Sequence, residues 1–259
     1  MKCKICNNET NFKFKAKVLS KYPVKYYHCD ECDFLQTESP FWLDEAYSSS
    51  INIEDTGIIA RNIGFSKKMT TLLYVLFNTK SNYLDYGGGT GLFTRLMRDI
   101  GFEYYWHDPY TQNLFSRGFE YDNQDIKAIS TFESFEHFVT PMKDIDKMLK
   151  ITDNIIFSTN ILPYPIPKPD EWWYYGLSHG QHVSFYSVDS LNYIANYFNI
   201  NFYTFGNLHI LTSENISKRR IDLIKILFKL KFDYLIKKFR LQSKTFEDMN
   251  YLIEQKINN

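Results

Sequence analysis

Residues 83–91 read YLDYGGGTG, an apolar run that closes on Asp85 and then places glycine at positions 87, 88, 89 and 91. A strand that stops at an acid and turns through closely spaced glycines lets backbone approach a ligand without side-chain obstruction. The next segment, LFTRLMRDI, carries Leu92, Leu96, Met97 and Ile100 at helical spacing, so the glycines form a strand-to-helix turn. A dinucleotide fingerprint needs its third glycine three positions after the second, where helix packs on strand. Here that position is Leu92, and the glycine comes early, at Gly91. The stretch FEYYWHDPY then reads as a second strand ending at Asp108 and Pro109, where an acid can take the two ribose hydroxyls of a nucleoside.

All four cysteines fall in the first 32 residues, as CKIC (Cys3, Cys6) and CDEC (Cys29, Cys32). Two C-x-x-C pairs across a short hairpin-like stretch supply four thiolates for tetrahedral zinc. Between them FKFKAKVL and VKYYHC alternate apolar and polar residues, which predicts two short strands in a zinc ribbon. So small a module buries little core, so the metal is expected to stabilise it directly. His28 lies close enough in sequence to stand in for one thiol.

The 259 residues allow one large domain with small additions, and 30 basic against 30 acidic residues give no global case for binding nucleic acid. No apolar run reaches membrane-spanning length, and the start Met1-Lys-Cys-Lys lacks the apolar centre of a signal peptide, so a cytoplasmic location is expected.

The pattern divides into a ribbon at 1–40, a helical lid or linker at 41–80, a core at 81–213 and an amphipathic helical segment at 214–259. Helix is predicted from about Thr56, with Met69, Leu72, Leu73, Leu76 and Phe77 as its buried stripe. Strand and helix then alternate: YLDY, the helix at 91–100, EYYWHD, a short strand near FSRGFEY, DIKAIST, a helix near 141–150 and NIIFST. That order predicts an α/β fold, a parallel sheet with helices on both faces. A helix at 187–198 with Ser187 as its N-cap precedes NFYTFG and LHILTS, read as an antiparallel pair. Between NIIFST and that helix lies an insertion at 161–186. Prolines 163, 165, 167 and 169 keep it extended, and Trp172, Trp173, Tyr174 and Tyr175 follow. Those aromatics can stack on a sugar or base, or pack as a local core beneath the loop. The basic amphipathic C-terminal segment suits packing on the domain, a homodimer contact or peripheral membrane contact.

The order D-x-G-x-G-x-G at 85–91 resembles the first motif of class I S-adenosylmethionine (SAM) methyltransferases, and the resemblance covers roughly residues 56–212. It implies a Rossmann-like methyltransferase sheet and SAM as cofactor. Within that superfamily the chain looks like the small-molecule methyltransferases found with surface-polysaccharide and sugar-nucleotide genes, some of which carry an N-terminal zinc-binding module. The stretches DTGIIARN (55–62), TFESFEHF (131–138) and GQHVSFYS (180–187) carry the closer match. By resemblance, Asp85, Gly87, Gly88, Gly89, Gly91, Asp108 and Pro109 hold the cofactor, with Phe132 and Glu133 beside its methionine part. Tyr47, Asp55 and Arg61 belong to a lid over it. Glu136 and His137 face the substrate side. Sugar C-methyltransferases with a similar cysteine-rich start are much longer, so their carbon-methylating activity is not carried over.

Methyl transfer to a hydroxyl needs a positioned acceptor and removal of its proton, a task matched by histidine. Of six histidines, His137, His179 and His182 lie where the fold is expected to present the acceptor; His137 and His182 are favoured as the base, with Glu136 orienting it or binding a substrate hydroxyl. The expected function is O-methylation of a sugar, sugar nucleotide or related precursor of a surface (capsular) polysaccharide, with SAM as cofactor and structural zinc. The alternatives are an N- or C-methyltransferase on a similar small molecule, an RNA methyltransferase using its basic ribbon, and a non-catalytic SAM-binding subunit.

Overall fold

The computed structural model describes residues 1–48 and 53–258, so residues 49–52 of the expected lid and Asn259 of the C-terminal segment lie outside the described residues. The chain forms two compact units, Met1–Asn52 with Thr131–Glu214, and Ile53–Ser130 with Asn215–Asn259. The fold is α/β, with parallel strands in the second unit and antiparallel strands in the first.

In the second unit the strand Asn82–Tyr86 runs parallel to Glu103–His107 on one side and to Ile126–Thr131 on the other. Its centre, Tyr83 and Leu84, is fully buried, as a near-continuous apolar run in a parallel strand requires. The helix Leu92–Ile100 follows the glycines, and the helix Ile58–Leu76 buries Met69, Leu72, Leu73 and Leu76 of the stripe read from its spacing, whereas Phe77 falls at its extended C-cap and is only half-buried. The expected strand near FSRGFEY is instead one isolated bridge, Glu120 to Trp106. Ser116 and Asn113 tie that segment into turns, and the left-handed Gly118 breaks its extension.

The C-terminal segment forms three helices, Lys218–Lys229, Asp233–Arg240 and Thr245–Asn258. The last is fixed through the buried Asp248, which pairs with Arg98 and, at 2.8 Å, with Arg95. Arg98 donates to both Asp248 oxygens at 2.8 and 2.6 Å, bonds Glu103 and the Tyr104 carbonyl, and lies 3.7 Å over the Phe119 ring. Among the described residues no helix is long and apolar enough to cross a membrane.

In the first unit the ribbon is larger than its sequence suggests. Strands Asn11–Val18, Tyr22–Cys29 and Phe34–Thr37 form an antiparallel sheet, and Ser184–Phe185 adds a fourth strand beside Phe34–Thr37. The insertion supplies the core that the ribbon lacks. Tyr174, Tyr175, Val183 and Phe185 are buried against Val18, Val24, Tyr26, Leu35 and Trp42. Tyr175 meets Phe14, Tyr26 and Phe185 edge to face at 5.3, 5.7 and 5.3 Å, and Trp42 Nε1 donates to the Gly180 carbonyl at 2.7 Å. Of the two roles open to these aromatics, Tyr174 and Tyr175 take the local core, whereas Trp173 stays 78% exposed. The same unit holds Leu208–Thr212 antiparallel to both Asn154–Ser158 and Asn201–Thr204. The helix Val188–Tyr197 begins in a capping box between Ser187 and Ser190, worth about 1 kcal/mol.

Replacing Asp248 by Asn removes the charge that pairs with both Arg98 and Arg95 and leaves the buried Arg98 with Glu103 as its carboxylate partner, a change expected to cost roughly 3 kcal/mol of unfolding free energy. Urea unfolding of wild type and variant measures it; a loss below about 1 kcal/mol, the scale of a surface pair, would contradict this account.

Candidate active site

The glycine turn is built around two carboxylates. Asp85, one residue before the end of its strand, is enclosed, its Oδ2 accepting from Thr94 Oγ1 at 2.9 Å. Burial pushes its carboxyl up to about 7, aided by the Asp108 charge and opposed by the Thr94 bonds. Asp108 is bound from three sides: Gly89 N–H donates to Oδ2 at 2.9 Å, and Tyr110 and Thr111 N–H donate to Oδ1 at 2.8 and 2.9 Å. Pro109 begins that turn, and Trp106 Nε1 donates to the Gly89 carbonyl at 2.9 Å. Gly87 and Gly88 N–H both donate to the His107 carbonyl.

Side chains are excluded from this turn for identifiable reasons. A Cβ on Gly88 would stand 2.6 Å from Asp85 Oδ2, and one on Gly91, at φ +83°, 2.4 Å from Ser116 Oγ. Gly89, at φ +53°, differs: a Cβ there would meet no atom within 4 Å. Backbone open on that side is what a ligand laid against the turn requires, so the residues fit a nucleoside cofactor. Arg61 makes a two-pronged pair with Asp55 at 2.9 and 2.7 Å, so the arginine and acid of the expected lid hold each other.

In the first unit, two sequence stretches are lashed together. Val183 N–H donates to the Glu136 carbonyl at 2.8 Å, Ser184 Oγ to the Phe138 carbonyl at 2.7 Å, and Tyr186 Oη to the Phe135 carbonyl at 3.0 Å. These bonds set the 3₁₀ turn Phe135–His137 beside Gln181–Tyr186 and bring the histidines together. The His137 and His182 rings lie 5.1 Å apart, and His179 and His182 4.7 Å apart. The donor atoms of Glu136, His137 and His182 all lie within 4.8 Å of one another.

Each ring is oriented by a partner. His182 Nδ1 donates to the Tyr174 carbonyl at 2.6 Å, which leaves Nε2 as the acceptor of the neutral ring. His137 Nδ1 bonds Tyr47 Oη at 2.6 Å, which ties the expected lid residue to the histidine. His179 Nδ1 accepts from Gln181 N–H at 3.2 Å. Gly176 makes room for the rings: at φ +60° its Cβ would fall 2.4 Å from His179. Burial, then the neighbouring His179, lowers the His137 imidazole to about 3; burial and both neighbours hold His182 well below its ordinary value. Both are therefore neutral at neutral pH, below the near-neutral ionisation expected of a free histidine base. Tyr174 and Tyr186 are raised by burial first and by the Glu136 carboxylate second.

Glu133, at φ +51°, exchanges two bonds with Ser158: its N–H donates to Oγ at 2.8 Å and Oγ donates to Oε1 at 2.7 Å. Phe132 precedes it at the strand end, half-buried. His209 is a buried core histidine bonded to the Thr159 carbonyl at 3.0 Å. The four cysteine sulfurs also lie within 4.8 Å of one another, with Cys3 to Cys32 at 3.6 Å and Cys6 to Cys29 at 3.4 Å. His28 is no part of that group; it bonds Asp30 and Asp33 at 2.9 and 2.7 Å. Sequence reasoning missed Tyr47 as a partner of His137 and Tyr174 as a partner of His182. Neither carried a signal in sequence: Tyr47 is ninety positions from its partner, and Tyr174 acts through its backbone carbonyl.

A family model described as "Methyltransferase domain" matches residues 62–202. Among curated proteins none matches. Many solved structures are similar, among them three at low identity. The plantazolicin methyltransferase BpumL with SAH is 11% identical at TM-score 0.45, over 73% of this chain and 84% of that one. Human N-acetylserotonin methyltransferase with SAM is 10% identical at TM-score 0.41, over 67% and 66%. TnmH is 12% identical at TM-score 0.40, over 68% of this chain and 62% of its own length.

The enclosed Asp85 makes a signed pH prediction. Its folded-state value, about 7, lies above its ordinary 3.8, so the folded protein binds the extra proton between those limits. Stability from this group is therefore full below about pH 4 and is lost as pH rises toward 7, with a slope of up to about 1.4 kcal/mol per pH unit. Asp85→Asn is expected to remove that slope, read as the wild-type minus variant difference in unfolding free energy across the window. A pH-independent difference would contradict the assignment.

Proposed function

We propose that this chain, which belongs to the methyltransferase-domain family and is a SAM-dependent methyltransferase, O-methylates a sugar, sugar nucleotide or related precursor of a surface polysaccharide. The observation that carries the reading is the joining of TFESFEHF to GQHVSFYS. These are two of the stretches on which the resemblance to polysaccharide-associated methyltransferases rests, and their residues Glu136, His137 and His182 converge.

SAM supplies a methyl group on a sulfonium, with the leaving group already in place. Asp85, Gly87, Gly88, Gly89, Gly91, Asp108 and Pro109 would hold it, the open backbone at Gly89 supporting that role. Phe132, Glu133 and Arg61 remain proposed cofactor residues. Glu136, His137, His179 and His182 are assigned to the acceptor: they orient its hydroxyl and take up its proton. Neutral imidazoles beside a carboxylate, His182 buried and His137 half-buried, suit a sugar hydroxyl, which must lose its proton only as the methyl bond forms.

The ribbon is proposed to hold structural zinc on Cys3, Cys6, Cys29 and Cys32. Four sulfurs within 4.8 Å supply the donor set, and the lysine Lys4 beside them would offset the net negative charge of a zinc tetrathiolate. Free thiols in that number belong in a reducing compartment, in keeping with a cytoplasmic location.

Two measurements test this reading. Asp108→Ala is expected to weaken SAH binding by roughly 1.5–3 kcal/mol in calorimetry, the scale of a lost charge-assisted bond. His137→Gln and His182→Gln are expected to lower turnover by about 10²–10⁴-fold with SAH affinity intact. Unchanged affinity in the first variant removes the ribose role of Asp108, and near-normal turnover in both others removes the histidines from proton uptake. For the ribbon, a thiol-specific mercurial is expected to release one zinc and melt its sheet; release of no metal would contradict the tetrathiolate.

A further inference from the structure

The acceptor-side cluster has the composition and spacing of a metal centre. Glu136 is fully buried, His182 nearly so, and His137 half-buried, and their donor atoms lie within 4.8 Å of one another. An ion bonded at about 2.1 Å holds its donors about 3–4 Å apart, so the three close on one ion by movements below about 1 Å each. Each imidazole already has the second bond that metal-ligating histidines use to fix ring and tautomer. His182 Nδ1 donates to the Tyr174 carbonyl, which directs its lone pair out through Nε2. His137 is held at Nδ1 by Tyr47 Oη, leaving Nε2 on the opposite side of the ring. The backbone bond from Val183 to the Glu136 carbonyl ties the carboxylate's residue to the neighbour of His182, so the set is pre-assembled. His179 stands apart, because Nδ1 already accepts from Gln181 and its neutral ring then carries the proton at Nε2.

From this geometry we infer that Glu136, His137 and His182 form a second metal site, distinct from the cysteine cluster, for a divalent first-row transition ion such as Zn²⁺. Two imidazoles and one carboxylate are the donors of three-ligand zinc and iron sites that keep positions open, whereas Mg²⁺ and Ca²⁺ take oxygen donors. The open positions suit the hydroxyl or vicinal hydroxyls of an acceptor. The inference rests on the proposed acceptor role but changes its chemistry: with Nδ1 bonded and Nε2 on the ion, the imidazoles orient the acceptor through the metal instead of taking up its proton, and the test reads the metal first.

Tag-free protein with its ribbon zinc in place is titrated with Co²⁺ and followed by visible absorption. The expected result is saturable uptake of one equivalent, with ligand-field bands and no thiolate charge-transfer band, not displaced by excess Mg²⁺. His137→Gln, at the half-buried position, and Glu136→Gln are each expected to weaken uptake by at least ~10²-fold, and Tyr47→Phe, which removes only an orienting bond, by about 10-fold. No saturable uptake by wild type, uptake showing thiolate bands alone, or uptake unchanged in both ligand variants would overturn the site. Turnover separates the two claims. If wild type takes up no Co²⁺ yet His137→Gln loses turnover, the acceptor role stands without a metal. If wild type takes up Co²⁺ and the variant turns over normally, the metal stands and the acceptor role falls.

Discussion

Asp108 accepts three backbone N–H bonds at once, one from Gly89 and two from the turn that follows it. Bonds from backbone N–H to a charged carboxylate are about twice as strong as neutral ones. Here they fasten the end of one strand to the glycine turn at the end of its neighbour. With Trp106 holding the Gly89 carbonyl from the same strand, the turn is fixed at both its donor and its acceptor. The left-handed conformations at Gly87, Gly89 and Gly91, the enclosure of Asp85 beneath Gly88 and the start of the helix at Leu92 follow from that anchoring. A cofactor laid against this turn meets a surface that is already ordered, so little conformational entropy is lost on binding.

A second constraint shapes the other unit. A four-cysteine ribbon of about forty residues is too small to bury a core by itself. The insertion at 161–186 solves this by placing Tyr174, Tyr175 and Phe185 among the ribbon's own apolar residues. The same packing has a chemical consequence. Tyr174, buried in that core, presents the carbonyl that orients His182, and the two-residue strand Ser184–Phe185 that completes the ribbon sheet continues from His182 and Val183. Ribbon, insertion and histidine cluster are thus one packing problem, so a substitution in the ribbon core is coupled to the histidine cluster.

Much of this was legible because its causes are local. The turn at 85–91 follows from glycine spacing, the helix Val188–Tyr197 from the capping serine at 187, and the convergence of four thiols from two short motifs. What the sequence concealed depends on tertiary contact. Ser184–Phe185 is too short to carry a period, and it is a strand only because Phe34–Thr37 offers an edge. Residues 115–121 alternate as a strand would, yet make a single bridge because side-chain bonds from Asn113 hold them in turns. Tyr47 reads as a lid residue and bonds His137 across ninety positions of sequence. The lowered values of His137 and His182 arise from burial, which spacing does not encode.

The central claim is methyl transfer from SAM to a hydroxyl of a sugar-type acceptor. The most direct measurement incubates the protein with methyl-labelled SAM and, in parallel, a pool of sugar nucleotides and total RNA, and follows the label by mass spectrometry. The account predicts label in a sugar-nucleotide product as an alkali-stable methyl ether, with none in RNA. Label appearing in RNA and absent from every sugar nucleotide would contradict it.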